Sequence, residues 1–124
     1  MQKQHILVVD DDPGIRFALT LKLRTSGYTV SEATDGVEAL AHFEGGRADL
    51  VVLDVGMPRM DGYTAARALH AADATRDVPL LFLTAQNLEV PAAVRDDIGR
   101  HRFLTKPFSP RDVVQAIGEL LGGT

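Results

Sequence analysis

Residues 6–16 read ILVVDDDPGIR. Four large aliphatic side chains run directly into three carboxylates, Asp10, Asp11 and Asp12. A short apolar run closed by a turn signal is the pattern of a strand covered on both faces, as in a parallel sheet. Asp12 followed by Pro13 reads as a helix N-cap with proline in the first turn. Ile15, Leu19 and Leu23 then recur at helical spacing, and Gly27 ends the run. The stretch predicts a strand, a tight turn and a helix, with like charges gathered at the strand's carboxyl end.

The same unit recurs along the chain. The strand candidates are Ile6–Val9, Thr29–Glu32, Leu50–Leu53, Leu80–Leu83 and Phe103–Thr105. The first, third and fourth are apolar throughout, whereas Thr29, Ser31 and Glu32 mark the second as an edge strand. Asp35 with Glu38 forms a capping-box pattern before Val37, Leu40 and Ala41, and Gly45-Gly46 stops that helix. Gly62–Ala72 puts Ala65, Ala66 and Leu69 on one face. Gln86–Val90 reads as a mobile loop, and Pro91 opens a short helix that ends before Gly99. Ser109-Pro110 opens the last helix, which should bury Val113, Ala116, Ile117 and Leu120. Five strand–helix units with short connections imply right-handed crossovers and a doubly wound, five-stranded parallel (βα)5 sheet of the α/β class.

The 124 residues suit a single domain spanning 1–124, with 122–124 as the start of a tail or linker. Apolar residues make up 45%, enough for a core without staples. There is no cysteine, hence no disulfide framework and no thiolate chemistry. A net charge of −4 argues against direct nucleic-acid binding by this chain. No apolar run has membrane-spanning length and the N-terminus does not read as a signal peptide, so a cytoplasmic location is expected.

In a doubly wound sheet, ligands bind beyond the carboxyl ends of the strands. Asp10 and Asp11 follow the first strand, Asp54 the third, Thr84 the fourth, and Lys106-Pro107 the fifth. Parallel strands bring all of these to one edge. Carboxylates held together are costly unless a cation joins them. Two or three carboxylates with carbonyl and water oxygens make a hard-oxygen site suited to Mg²⁺. Asp12 is assigned to capping, where the helix dipole favours a negative charge.

The segments VVDD at 8–11, LDVGMPRMDG at 53–62, LTA at 83–85 and TKPFS at 105–109 together resemble the receiver domain of two-component response regulators. The resemblance covers essentially the whole length. It implies a CheY-like, flavodoxin-like fold with strand order 2-1-3-4-5. It also implies that Asp54 accepts a phosphoryl group from a histidine kinase and that the domain dephosphorylates itself. Asp11, Asp54 and the backbone carbonyl of Gly56 would ligate Mg²⁺, with Asp10 acting through water and Mn²⁺ able to substitute. Thr84 and Lys106 match the family's hydroxyl and lysine. Phe103 stands where receivers carry a switch aromatic, often tyrosine. The Lys106–Pro107 bond would be cis. Gly56 and Gln86 border the path of hydrolytic water.

The implied partners are a sensor histidine kinase or phosphotransfer protein and an output protein or fused output domain. Phosphorylation would switch the surface around the fourth helix, fifth strand and fifth helix, and a phosphorylation-dependent homodimer is a further expectation. The competing readings are an unphosphorylated interaction scaffold and a phosphohydrolase or flavin protein of related architecture. The chain departs from the family at 98–103, where bulky charged residues replace small ones, and at Pro91. Thr64, Thr75 and Arg16 are expected at the surface, and His5, His42, His70 and His101 at the surface or edges. Met57-Pro58 and Met60 would shape the loop below the site. Arg95, Arg100, His101 and Arg102 would form a basic patch, solvated or docking.

Overall fold

The computed structural model describes residues 3–57, 60–84 and 100–122. Five parallel strands form one sheet: β1 (His5–Val9), β2 (Thr29–Ala33), β3 (Leu50–Asp54), β4 (Leu80–Thr84) and β5 (His101–Thr105). Their order is β2-β1-β3-β4-β5, so β2 and β5 are the edges. Among the described residues the helices are α1 (Pro13–Thr25), α2 (Gly36–Gly45), α3 (Gly62–Ala71) and α4 (Pro110–Gly122). The short helix expected from Pro91 and the loop Gln86–Val90 lie outside the described residues, as do Pro58 and Arg95.

The alternation of side chains along each strand splits the core into two layers. Leu7, Val9, Val51, Leu53 and Phe82 face Ala39 of α2 and Ala65, Ala66 and Leu69 of α3. Ile6, Val8, Leu50, Val52, Leu81 and Leu83 face Leu19 and Leu23 of α1 and Val113, Ala116, Ile117 and Leu120 of α4. Burying a side chain of this size contributes roughly 1.5–3 kcal/mol. The sheet is thus fixed from both sides, as the unbroken apolar runs of β1, β3 and β4 require.

Each helix start is set by a short polar side chain. Asp12 accepts the N–H groups of Gly14 (2.8 Å) and Ile15 (3.3 Å). Asp35 accepts from Glu38 (2.9 Å), and Asp61 accepts from Thr64 (2.8 Å). Ser109 and Asp112 bond reciprocally, each side chain accepting the other's N–H. Gly27 takes a φ of +100° just past α1, a conformation that carries no steric cost for glycine.

The structure corrects several expectations. Strand β5 begins at His101, two residues before the expected start, because an edge strand bonded only to β4 tolerates His101 and Arg102. Asp54 and Thr84 are the last residues of β3 and β4, not the first beyond them. In α2 the buried face is Gly36 and Ala39, with Leu40 and Phe43 partly buried. Val37 is 41% exposed and Ala41 is also exposed. The Glu38 carboxylate returns its bond to the N–H of Thr34, one residue ahead of the cap (2.8 Å). Thr75 is buried rather than superficial, because its hydroxyl donates to the Leu69 carbonyl near the end of α3.

Candidate functional site

The carboxyl ends of the strands bring the predicted side chains together. Ladder hydrogen bonds hold their backbones at and beyond the strand ends. The N–H of Asp10 donates to Ala33 O (3.1 Å), that of Val55 to Leu83 O (3.0 Å) and that of Lys106 to Thr84 O (2.7 Å). Asp10, Lys106 and the residue after Asp54 are therefore tied to the adjacent strand, which limits their motion more than a free loop would.

One carboxylate oxygen from each of Asp10, Asp11 and Asp54 lies within 4.8 Å of the others. Asp10 is fully buried, Asp54 is buried and Asp11 is exposed. Asp10 Oδ1 accepts the Asp12 N–H at 2.9 Å, while its Oδ2 is buried and accepts no hydrogen bond. A buried carboxylate oxygen without a donor costs free energy in proportion to its charge. Burial pushes the Asp10 carboxyl up to about 6, against the pull of the Asp12 N–H; the charges of Asp54 and Asp11 push the same way, and Lys106 opposes them. The Asp54 carboxyl is also raised, first by burial and then by Asp11, while Lys106 and the Gly56 N–H hold it down. The cluster thus fits a divalent cation, which would supply the missing partner for Asp10 Oδ2 and the missing charge for all three acids.

Lys106 Nζ stands 3.8 Å from Asp54 Oδ1, and Gly56 N–H donates to the same oxygen at 3.4 Å. The Lys106–Pro107 peptide bond is cis. Thr84 is buried, and its carbonyl receives the Lys106 N–H. Gly56 is exposed and a Cβ there would meet nothing within 4 Å. At Gly62 a Cβ would stand 2.6 Å from the carbonyl oxygen of Asp54, so the start of α3 presses directly on the central acid's backbone. Met60 is packed against Gly36 and Met57 is buried, so both line the loop between β3 and α3.

Phe103 packs against the core beside the site. Its ring stacks on Phe82 with centroids 4.9 Å apart, and His101 meets it edge-on at 5.6 Å. Tyr63 of α3 adds a tilted contact with Phe103 at 6.4 Å.

Arg16 was expected in solvent but is only 17% exposed. It donates through Nη1 to the backbone carbonyl of Asp10 (2.7 Å) and through Nε to Glu32 (3.2 Å). The available signal was its place on the helix, one turn past the acidic turn. Its partner Glu32 is distant in sequence and becomes a neighbour only once β2 pairs with β1. Away from this site, His5 and His42 stack with ring centroids 6.0 Å apart, and both ring nitrogens of His5 meet hydroxyls, of Thr29 at 2.6 Å and Ser31 at 2.7 Å.

Comparison with known proteins agrees with this arrangement. The family model for the response regulator receiver domain matches residues 6–118. The response regulator MprA of Mycobacterium ulcerans is 41% identical over 97% of this chain and 51% of its own length. The chain spans about half the length of the curated relatives it matches. Among solved structures, the chemotaxis response regulator CheY4 of Vibrio cholerae superposes with a TM-score of 0.88 at 31% identity, covering 97% of this chain and all of that one. The receiver domain of a Pseudomonas aeruginosa sensor histidine kinase, solved with a magnesium ion coordinated in its active site cleft, gives a TM-score of 0.85 at 31% identity over 98% of this chain and 99% of that one. The fold, the strand-end constellation and the family match converge: this chain belongs to the response regulator receiver domains of two-component signalling.

Proposed function

We propose that the chain accepts a phosphoryl group on Asp54 from the phosphohistidine of a sensor histidine kinase or phosphotransfer protein, with Mg²⁺ as cofactor. The observation that supports this most is the buried, hydrogen-bond-deficient Asp10 beside Asp11 and Asp54, with Lys106 alongside. Acids so arranged serve a fold poorly and a cation site well. Asp11, Asp54 and the carbonyl of Gly56 would hold Mg²⁺, with Asp10 acting through water. Bound there, the ion supplies charge neutralisation for the carboxylates and the incoming phosphoryl oxygens.

The remaining work falls to the protein's own groups. An Asp54 oxygen attacks phosphorus: a P–O bond forms, the P–N bond to the donor imidazole breaks, and the electron pair leaves with that nitrogen, which takes up a proton from solvent. Catalysis is then alignment and charge compensation. Lys106 is close enough to Asp54 to move its ammonium onto a phosphoryl oxygen. The hydroxyl of Thr84 donates to another, and that displacement is relayed to Phe103 and its neighbours Phe82, Tyr63 and His101. The product is an acyl phosphate, which the same groups hydrolyse to end the signal. A fused or separate output partner reads the altered surface around β5 and α4, and phosphorylation-dependent pairing of two copies is part of the same reading. We assign the protein to the cytoplasm on the same basis.

The test is incubation with acetyl phosphate and Mg²⁺, followed by intact-mass measurement. One base-labile phosphoryl adduct should form, and it should vanish in Asp54→Asn and after chelation. A folded protein that gains no adduct from acetyl phosphate or from a phosphorylated histidine kinase would instead favour an unphosphorylated scaffold.

A further inference from the structure

Arg16 is placed where it controls the acid pair without touching either carboxylate. The Asp10 carbonyl that it engages belongs to the peptide joining Asp10 to Asp11. Both acidic side chains depart from that peptide, so its plane sets where their oxygens point. Two other bonds act at this corner, Asp10 N–H to Ala33 O and Asp12 N–H to Asp10 Oδ1. Among the described residues, the guanidinium is what holds the carbonyl side.

The guanidinium is itself held. Glu32 engages Nε while Nη1 reaches the carbonyl, so two donors of one planar fork meet two acceptors, one on β2 and one just beyond the end of β1. Glu32 lies opposite Val8 in the β1–β2 register, close behind the acidic turn. Its charge offsets that of Arg16, which leaves the fork's geometry as its main contribution to the site.

We propose that Arg16 is a positioning residue for the metal-binding acids. It pins the Asp10–Asp11 peptide to β2 so that both carboxylates converge on Asp54. The inference rests on the Mg²⁺ reading above and adds to it the group that orients the ligands.

The sign of one measurement separates this role from the alternatives. Removing a cation near a cation site should tighten Mg²⁺ binding if Arg16 acted only through its charge. A merely structural role would lower thermal stability and leave Mg²⁺ affinity unmoved. A positioning role weakens binding although a positive charge has been removed. Loss of groups that orient metal ligands typically costs 10–100-fold in affinity, and a clamp on one ligand's backbone belongs near tenfold.

The experiment is Mg²⁺ titration of the whole chain, without phosphoryl donor, followed by calorimetry and by the backbone amide signals of Asp11 and Asp12. Arg16→Gln should weaken binding by about tenfold and shift both amide signals in the metal-free protein. Arg16→Lys, which keeps the charge but loses the fork, should fall between Gln and the parent; it also serves if the Gln variant does not fold. Affinity equal to or tighter than the parent's in a folded Arg16 variant overturns the proposal and leaves the metal reading intact. A parent that binds no Mg²⁺, or binds it equally well as Asp11→Asn, overturns both.

Discussion

Without divalent cations, the protein should become less stable as pH rises through the range in which Asp10 ionises. The folded carboxyl titrates at about 6 against an ordinary 3.8, so the native state holds this proton more tightly than the unfolded chain does. Its contribution is fully present below about pH 4 and is lost as pH climbs through about 6. At about 1.4 kcal/mol for each tenfold change in proton affinity, the full effect is about 3 kcal/mol. Asp10→Asn removes the titration while keeping an oxygen for the Asp12 N–H. The new amide N–H stands where an unpartnered oxygen stood and has the Asp11 and Asp54 carboxylates nearby to accept from it. The variant should therefore be more stable than the parent by about 1–3 kcal/mol at neutral pH, with little difference near pH 4. Urea unfolding of both proteins in chelator, at several pH values, reads this directly. A stability difference that stays flat across the range, or an Asn variant weaker at neutral pH, would refute the reasoning. If the cluster takes Mg²⁺ as proposed, adding the ion should then stabilise the parent, because only the native state assembles the three acids, and should stabilise the variant much less.

Three other perturbations follow from particular contacts. Gly62→Ala puts a Cβ against the Asp54 carbonyl and should cost about 1–3 kcal/mol, with slower phosphoryl uptake than an equally destabilised core variant; thermal melts with acetyl phosphate kinetics check both. Asp12→Ala strips the acceptor from the N–H groups of Gly14 and Ile15 and should cost about 1 kcal/mol, seen as a lower urea midpoint with unchanged slope. His5 should titrate below the ordinary imidazole value of 6.5, because burial and His42 outweigh Asp49, and its neutral form should therefore favour folding as pH rises through that window. NMR titration of the imidazole signals reads the shift, and His42→Gln should move His5 back upward.

The sheet was legible because three of its strands are apolar without interruption, and such runs leave little choice once five turn-punctuated units are counted. The buried face of α4 was legible for the same reason: Val113, Ala116, Ile117 and Leu120 repeat at helical spacing with polar residues between them. Helix α2 was harder. Val37, Ala39, Leu40, Ala41 and Phe43 ring the helix with apolar groups, so periodicity cannot choose a face. The close approach of Gly36 to Met60 fixes the rotation, and that contact exists only in the folded chain. The start of β5 was missed because His101 and Arg102 resemble a loop. The bonds that make them a strand come from β4. The candidate site was read from strand ends, which topology alone brings together. Arg16 escaped because its partners, the Asp10 carbonyl and Glu32, carry no local signature in sequence.

Three departures from good packing lie together at the carboxyl ends of the strands. Asp10 keeps an unpartnered oxygen in a fully buried position, Asp54 is buried beside other acids, and Gly62 leaves no room for a side chain over the Asp54 carbonyl. The apolar runs of the strands and the buried faces of α1 and α4 agree with the two core layers. A fold under selection for stability alone would replace Asp10 with an apolar residue, since the strand it ends is apolar and its neighbours are core. That it carries a carboxylate, clamped through its carbonyl by Arg16, means the stability of the two core layers is set against the cost of holding acids in one geometry. In the function proposed above, a cation and then a phosphoryl group would relieve that cost. The energy released on relief would then be what the site has available for the proposed movement of Phe103 and the surface around it.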